Sequence, residues 1–354
     1  MFDIVTIGSA TQDIFIESDF GKIQELRDKF SSYSMLCFEY GAKIEIDQLA
    51  YDIGGGAVNT GVNFANLGFK TAPIIKLGHD LNSNAIFQRL EEKNIDKSLV
   101  LQTNDYKTGF SVILTSFEGD RTVLAHRGAN SNLKLDEMPW DSIKNSKWIY
   151  IAPLSGDSNL VLDKIAEFAE ENGVSMAFNP GTTQIKRGIE DLKKVICTAE
   201  ALVMNKSEAA RITGINETCI ESSTPDETEK KTCYVDVDKM LYELKAYGPK
   251  VVVITDGSKG VYCFDGEKIY FAPPFPAKVV STLGAGDAFS STFVGGLIRY
   301  NWNIEKSIQI ASINAAQIIQ NFGAQSGLKT FSELEEILSQ NPDYKVSIKS
   351  KHLV

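Results

Sequence analysis

Only three histidines occur among the 354 residues, His79, His126 and His352. That scarcity leaves few positions for hydrolytic chemistry built on a histidine base. The five cysteines, Cys37, Cys197, Cys219, Cys233 and Cys263, are scattered and odd in number, and none forms a C-x-x-C pair. Neither a zinc knuckle nor a redox pair is indicated, and reduced thiols in a cytoplasmic protein are expected. No apolar run reaches membrane-spanning length, and the first residues read as a strand rather than a basic leader, so neither a membrane partner nor a targeting segment is expected. Positive charge is not in surplus: 36 Lys and Arg face 46 Asp and Glu, a net charge of −10. A nucleic-acid partner needs a basic surface and is therefore not expected. The phosphate loop Gly-x-x-x-x-Gly-Lys-[Ser/Thr] is absent, and so is a protein-kinase catalytic loop.

With 43% hydrophobic and 23% charged residues, the composition is that of a soluble globular protein. Short apolar runs at Phe2–Ile7, Thr71–Leu77, Trp148–Ala152, Val174–Phe178, Ala201–Met204 and Val251–Thr255 read as strands buried on both faces. Helical patterns lie between them, at Asn59–Leu67, Asn84–Lys93, Leu160–Asn172, Lys206–Thr213 and Val237–Tyr247. This alternation predicts an α/β fold with a mostly parallel central sheet flanked by helices, in one domain over 1–354. Segments at about 14–18, 34–51 and 108–127 alternate polar and apolar residues, the last turning at Phe117–Asp120. They predict a small second sheet, a lid on the main domain. The polar stretch 216–236 reads as a surface insertion, and the residues after Asn341 as a strand or tail.

The strongest chemical signal is Ser281-Thr282-Leu283-Gly284-Ala285-Gly286-Asp287, followed by the small residues Ala288–Phe293. The glycines allow a sharp turn whose N–H groups approach an anion, and the following segment reads as a helix with a positive N-terminus. A carboxylate at such a mouth, Asp287, suits proton abstraction from an attacking hydroxyl; an ordinary helix start uses the same residue types. Gly54-Gly55-Gly56-Ala57-Val58-Asn59 offers bare backbone and one amide to a polyol, or a flexible turn. A dinucleotide fingerprint fails there, because Asn59 stands where a glycine is required. Asp13, after the first strand, is placed to accept sugar hydroxyls or to cap its own turn. Asn205 and Glu208 together fit a hydrated Mg²⁺ or a helix capping box, or both. Thr255-Asp256-Gly257-Ser258-Lys259-Gly260 reads as a phosphate-contacting turn or a plain strand connection.

In this order, and with Asn314-Ala315-Ala316 and Gly323-Ala324-Gln325 following, the motifs resemble the ribokinase-like (PfkB) family of carbohydrate and nucleoside kinases from Ile4 to about Leu328. The resemblance implies an α/β core with a β-lid, ATP and Mg²⁺, and phosphorylation of a hydroxymethyl group on a sugar. It implies Asp287 as base, the amides of Gly284, Ala285, Gly286 and Asp287 as anion hole, and Asp13, Gly55, Gly56 and Asn59 as acceptor contacts. Asn205 and Glu208 match the phosphate–Mg²⁺ region, and Thr255, Gly257, Gly260 and Asn314 the nucleotide surroundings. Ser281 replaces the usual aspartate, so K⁺ activation is not carried over, and Gly56 replaces the lysine typical of ribokinases, leaving fructose-like and other acceptors open. A nucleoside acceptor would need an aromatic slot, from Phe15, Phe110 or Phe117. A catalytically idle sugar-binding protein is disfavoured by the intact Gly284–Asp287. A homodimer through the lid is expected, since a half-exposed sheet needs cover.

Overall fold

The computed structural model describes the chain apart from residues 18–21, 28–31, 116–120, 216–217, 221–231, 235 and 351–354. Its main sheet has nine strands in the order Ser347–Ser350, Lys268–Ala272, Val261–Phe264, Val251–Thr255, Ala201–Asn205, Ser175–Phe178, Ser146–Ile151, Phe2–Ile7 and Thr71–Ile74. From Val251–Thr255 to Thr71–Ile74 every pairing is parallel; the three strands at the other edge are antiparallel. The apolar runs explain the parallel part. Ile4, Val5, Ile7 and Val251–Ile254 have no exposed surface, as strands covered by helices on both faces require.

Separate apolar clusters fill the two sides of the sheet. One includes Ile149, Leu162, Ile165, Leu241 and Leu244; the other includes Phe64, Tyr150, Phe293, Val294 and Leu297. Each such side chain contributes about 1.5–3 kcal/mol when removed from water. Gly296 brings two long helices together: a Cβ there would lie 3.0 Å from Ser307, so Ala285–Arg299 and Ile304–Ile318 pack backbone to backbone. No helix of the described residues is long and apolar enough to cross a membrane.

A second sheet of four strands lies apart, in the order Arg121–His126, Phe110–Thr115, Thr11–Glu17, Gln48–Gly54. Its outer pairs are antiparallel and its central pair parallel. Two expectations need correction. Residues 34–37 belong to the strand Ser32–Cys37, which pairs with Lys22–Arg27 and not with this sheet; only Gln48–Gly54 joins it, because alternation marks a wet face and says nothing about the partner strand. Thr71–Leu77 is two strands: Thr71–Ile74 lies in the main sheet, and Lys76–Gly78 leaves it to pair with Leu101–Thr103. The expected turn at Phe117–Asp120 and most of the insertion 216–236 fall outside the described residues; of the latter, Thr218–Ile220 pairs with Thr232–Tyr234. The tail forms the edge strand Ser347–Ser350.

Candidate active site

The parallel strands deliver Gly8, Asn205 and Thr255 to one edge of the sheet, the carboxyl edge where open α/β sheets bind ligands. The helix Ala285–Arg299 starts at the same edge. Its N-cap Gly284 has φ 77°, and a Cβ there would lie 2.6 Å from the Ala324 carbonyl oxygen. Glycine is thus required twice, by the left-handed backbone and by the close approach. The Gly286 and Asp287 N–H groups, in the first helical turn, have no intrahelical acceptor. A Cβ on Gly286 would meet nothing within 4 Å, and Gly286 lines the adjoining cavity.

Asp287 keeps part of its surface accessible while the protein mass around it displaces most of its water. This desolvation pushes its carboxyl up to about 6, opposed by the hydrogen bond from Asn59. Asn59 Nδ2 donates to Asp287 Oδ2 at 2.8 Å, so two residues 228 positions apart meet in one site. Beneath them the Tyr150 hydroxyl donates to Ser290 Oγ at 2.6 Å, and Ser290 Oγ donates to the Gly286 carbonyl at 2.7 Å. Burial and the nearby Asp287 charge hold the Tyr150 phenol well above its ordinary range.

The glycines before Asn59 let three chain segments touch. At Gly54 a Cβ would fall 2.2 Å from Asp13 Oδ2, and at Gly55, with φ 94°, 2.5 Å from the Ser9 carbonyl. Gly56 donates its N–H to Ser9 Oγ at 3.1 Å, and its Cβ would lie 2.8 Å from Ala152 Cβ. Gly56, expected at the acceptor, therefore has its N–H engaged and no room for a side chain. Asp13 lies within the strand Thr11–Glu17 and is buried. Burial raises its carboxyl pKa, hydrogen bonds from Ser111 and Thr11 lower it, and the charge of Asp52 adds to the rise. Ser111 Oγ donates to Asp13 Oδ1 at 2.5 Å.

Beside the helix N-terminus lies an apolar cavity of about 620 Å³. Thr255, Gly257 and Gly260 line it as expected positions, and it reaches Ala285 and Gly286. Its other walls, such as Pro274, Phe275 and Ile319, carry no polar signature that sequence reading could single out. Asn205 is in register with Thr255 at the strand ends. Its Oδ1 accepts from the Glu208 N–H and Glu208 Oε2 accepts from the Asn205 N–H, each at 2.9 Å, a capping box. Burial raises the Glu208 pKa, and those hydrogen bonds oppose the rise.

Asn314 does not line the cavity. It is fully buried, donating to Asn63 Oδ1 and Thr292 Oγ1 and accepting from the Lys329 N–H. Asn63 in turn donates to Ser291 and Thr292. This polar knot fastens the helices Gly56–Asn66, Ala285–Arg299 and Ile304–Ile318 behind the site. Sequence reading gave Gln325 no role and passed over Arg89. Gln325 Nε2 donates to Asn59 Oδ1 at 3.0 Å and to the Ile53 carbonyl at 2.8 Å, and Arg89 donates to Gln325 Oε1 at 2.7 Å. No local spacing announces contacts between residues so far apart in the chain.

Known proteins share the fold and resemble the sequence. A ribokinase from Lactococcus lactis is 30% identical over 295 residues, covering 81% of this chain and 86% of its own. A bifunctional ribokinase/ribose-5-phosphate isomerase A from Fructilactobacillus sanfranciscensis is 28% identical over 84% of this chain, which spans about half (52%) of that longer protein. The structure of Arabidopsis thaliana ribokinase complexed with ribose and ATP superposes with a TM-score of 0.75, at 21% identity, over 95% of this chain and 98% of that one, so the fold is the same. The profile described as "pfkB family carbohydrate kinase" matches residues 25–330. On that match the chain belongs to the pfkB family of carbohydrate kinases, phosphotransferases that act on a hydroxyl acceptor.

Proposed function

We propose that this enzyme transfers the γ-phosphoryl group of ATP to a hydroxymethyl group of a sugar. One observation carries the reading: a carboxylate of raised proton affinity, Asp287, stands next to the unpaired N–H of Gly286, where a cavity of nucleotide size ends. The apolar walls suit an adenosine moiety, and the turn Thr255–Gly260 suits its phosphates. Asp13 would accept acceptor hydroxyls from the lid side. The acceptor hydroxyl hydrogen-bonds to Asp287, gives it its proton, and its oxygen attacks the γ-phosphorus. The bond from that phosphorus to the β–γ bridging oxygen breaks, and ADP leaves with the electron pair. Amides of residues 284–287 stabilise charge on the moving group, each worth about 3–4 kcal/mol by analogy with oxyanion donors. A closed lid excludes water and suppresses ATP hydrolysis.

A single half-buried carboxylate suits Mg²⁺, which keeps most of its waters and leans on phosphates. Glu208, braced by the Asn205 N–H, would hold the ion through water, and the ion would neutralise charge on the phosphates. Ser281 puts a neutral hydroxyl, which accepts from the Leu283 N–H at 3.3 Å, where a carboxylate would help hold K⁺, so K⁺ is not made part of the proposed reaction. A sugar is favoured over a nucleoside because the aromatic rings available for a base slot are engaged: Phe15 packs on Phe322 at 4.5 Å between centroids and Phe110 on His126 at 5.3 Å. Phe117 lies outside the described residues.

The test is ADP release with Mg-ATP across a panel of hexoses, pentoses, their phosphates and nucleosides. We expect turnover with a sugar that carries a free hydroxymethyl group, and its loss by orders of magnitude in Asp287→Asn with ATP binding retained. Preferential turnover of nucleosides would replace the sugar reading; near-normal activity in Asp287→Asn would remove Asp287 as base.

A further inference from the structure

The Asn59 amide has two ends, and only one helps Asp287. An amide N–H stabilises a carboxylate; an amide oxygen turned toward it repels it. What sets the sense is a chain of bonds that begins at a group able only to donate. Arg89 donates one N–H to Asp52 Oδ1 at 2.9 Å and another to Gln325 Oε1 at 2.7 Å. With its oxygen thus occupied, Gln325 must point Nε2 the other way, where it donates to the Ile53 carbonyl and to Asn59 Oδ1. Asn59 is left with Nδ2 directed at Asp287 Oδ2. Each link is consistent with the one before it, and the guanidinium fixes the direction of all of them.

The segment Gly323–Gln325 makes this chain part of a larger joint. A Cβ at Gly323 would lie 2.3 Å from Asp52 Oδ2, and Ala324 presses on the Gly284 turn. Asp52 belongs to the lid strand Gln48–Gly54, in register with Asp13. One short loop thus touches the lid, the anion cradle and, through Asn59, the carboxylate.

We propose that Gln325 and Arg89 are positioning residues of the transfer reaction: they fix the sense of the Asn59 amide and so hold Asp287 as an oriented carboxylate. The proposal rests on the reading of Asp287 as the base. Around Asp287, the titratable neighbour from the sheet below is Tyr150, neutral throughout the working range because burial raises its pKa. At the far end of the chain of bonds stand Arg89, Asp52 and Glu92, the last with Oε2 3.6 Å from Arg89 Nε.

Gln325→Glu separates this role from a merely structural one. The new side chain still accepts from Arg89 but cannot donate to Asn59, which then turns its oxygen toward Asp287. In the full-length enzyme with Mg-ATP and its best acceptor, kcat falls at least about tenfold while the KM for ATP stays unchanged. The acid limb of kcat/KM moves to higher pH by about one unit, because the carboxylate has lost a donor. Arg89→Lys, which keeps a donor at the head of the chain, shifts the limb less and in the same direction. If Gln325→Glu does not fold, as judged by thermal melting, Gln325→Leu reads out the same limb, since it too deprives Asn59 of its partner. A limb identical to that of the parent enzyme, whatever happens to turnover or melting temperature, overturns the positioning role. Asp287→Asn, run in parallel, keeps the two readings apart. If it is inactive while the limb does not move, the relay fails and the base survives; if it is active, the base reading fails and the relay with it.

Discussion

Asp287, held desolvated, costs the folded protein stability. Its carboxyl titrates at about 6 in the fold against 3.8 in an open chain. Below about pH 4 it is protonated in both states and contributes nothing. As pH rises toward 6 the unfolded chain ionises first, and above 6 the folded protein carries the whole penalty, at most about 3 kcal/mol. Asp287→Asn keeps an acceptor for Asn59 and removes the charge. Thermal melts should therefore find this variant more stable than the parent by several degrees at about pH 8, the gap closing toward about pH 4.5. A variant that melts at or below the parent at pH 8 contradicts the desolvation account. The placing of Asp287 in the first turn of a helix was legible in the sequence because it depends on immediate neighbours, the glycines before it and the helix after it. The role of Asn314 was not. Its type suits a ligand contact and a buried knot equally, and only the packing of three helices decides for the knot.

The helix starting at Ala285 separates two glycines that look alike in sequence. Gly284 is required by its fold: its backbone is left-handed, where a Cβ is strained, and that Cβ would meet the Ala324 carbonyl at 2.6 Å. Gly286 is helical and has open space around its Cβ position. Gly284→Ala should lower stability by about 1–3 kcal/mol and disturb the Gly323–Gln325 loop. Gly286→Ala should leave the melting temperature unchanged or raise it, since alanine is the better helix former by up to about 1 kcal/mol. Its methyl group nevertheless stands beside the N–H that would hold the phosphoryl group, and kcat/KM should fall on the order of a hundredfold. Melting curves and steady-state kinetics on the pair check both; equal effects on stability would contradict the assignment. Among whole elements, the parallel strands were readable because burial on both faces leaves an unbroken apolar run. The strand Ser32–Cys37 shows the limit. Alternation over 34–51 pointed to lid strands, but residues 34–37 pair with Lys22–Arg27, and periodicity does not encode a partner strand.

At the scale of the whole molecule, the four-stranded sheet buries one face and leaves an apolar row on the other. Asp13, Phe15, Ser111 and Ile113 face inward and are buried. On the opposite face Tyr51, Ile14, Val112 and Leu124 are in register across all four strands, forming one apolar row. Tyr51 is 61% exposed, Leu124 56%, and Leu49 beside them 48%. An exposed apolar row of this kind marks a surface that another molecule covers, and a second copy offers the same row by twofold symmetry. We therefore propose a homodimer through the lids, which needs about 1,200–2,000 Å² of total buried surface to be stable. Light scattering during size exclusion should give twice the chain mass for the parent protein. Tyr51→Glu with Leu124→Glu should give the monomer, because each would bury an unpaired charge at the seam. Both substituted positions lie on the face of the sheet opposite Asp13, so the monomer should retain the chemistry but lose the rigid support of its lid. Its KM for the acceptor should rise more than its kcat falls, since a lid that closes less often weakens acceptor capture before it slows transfer. A parent protein that runs as a monomer across a concentration series removes the dimer, and a monomeric variant with unchanged kinetics removes the link between pairing and closure.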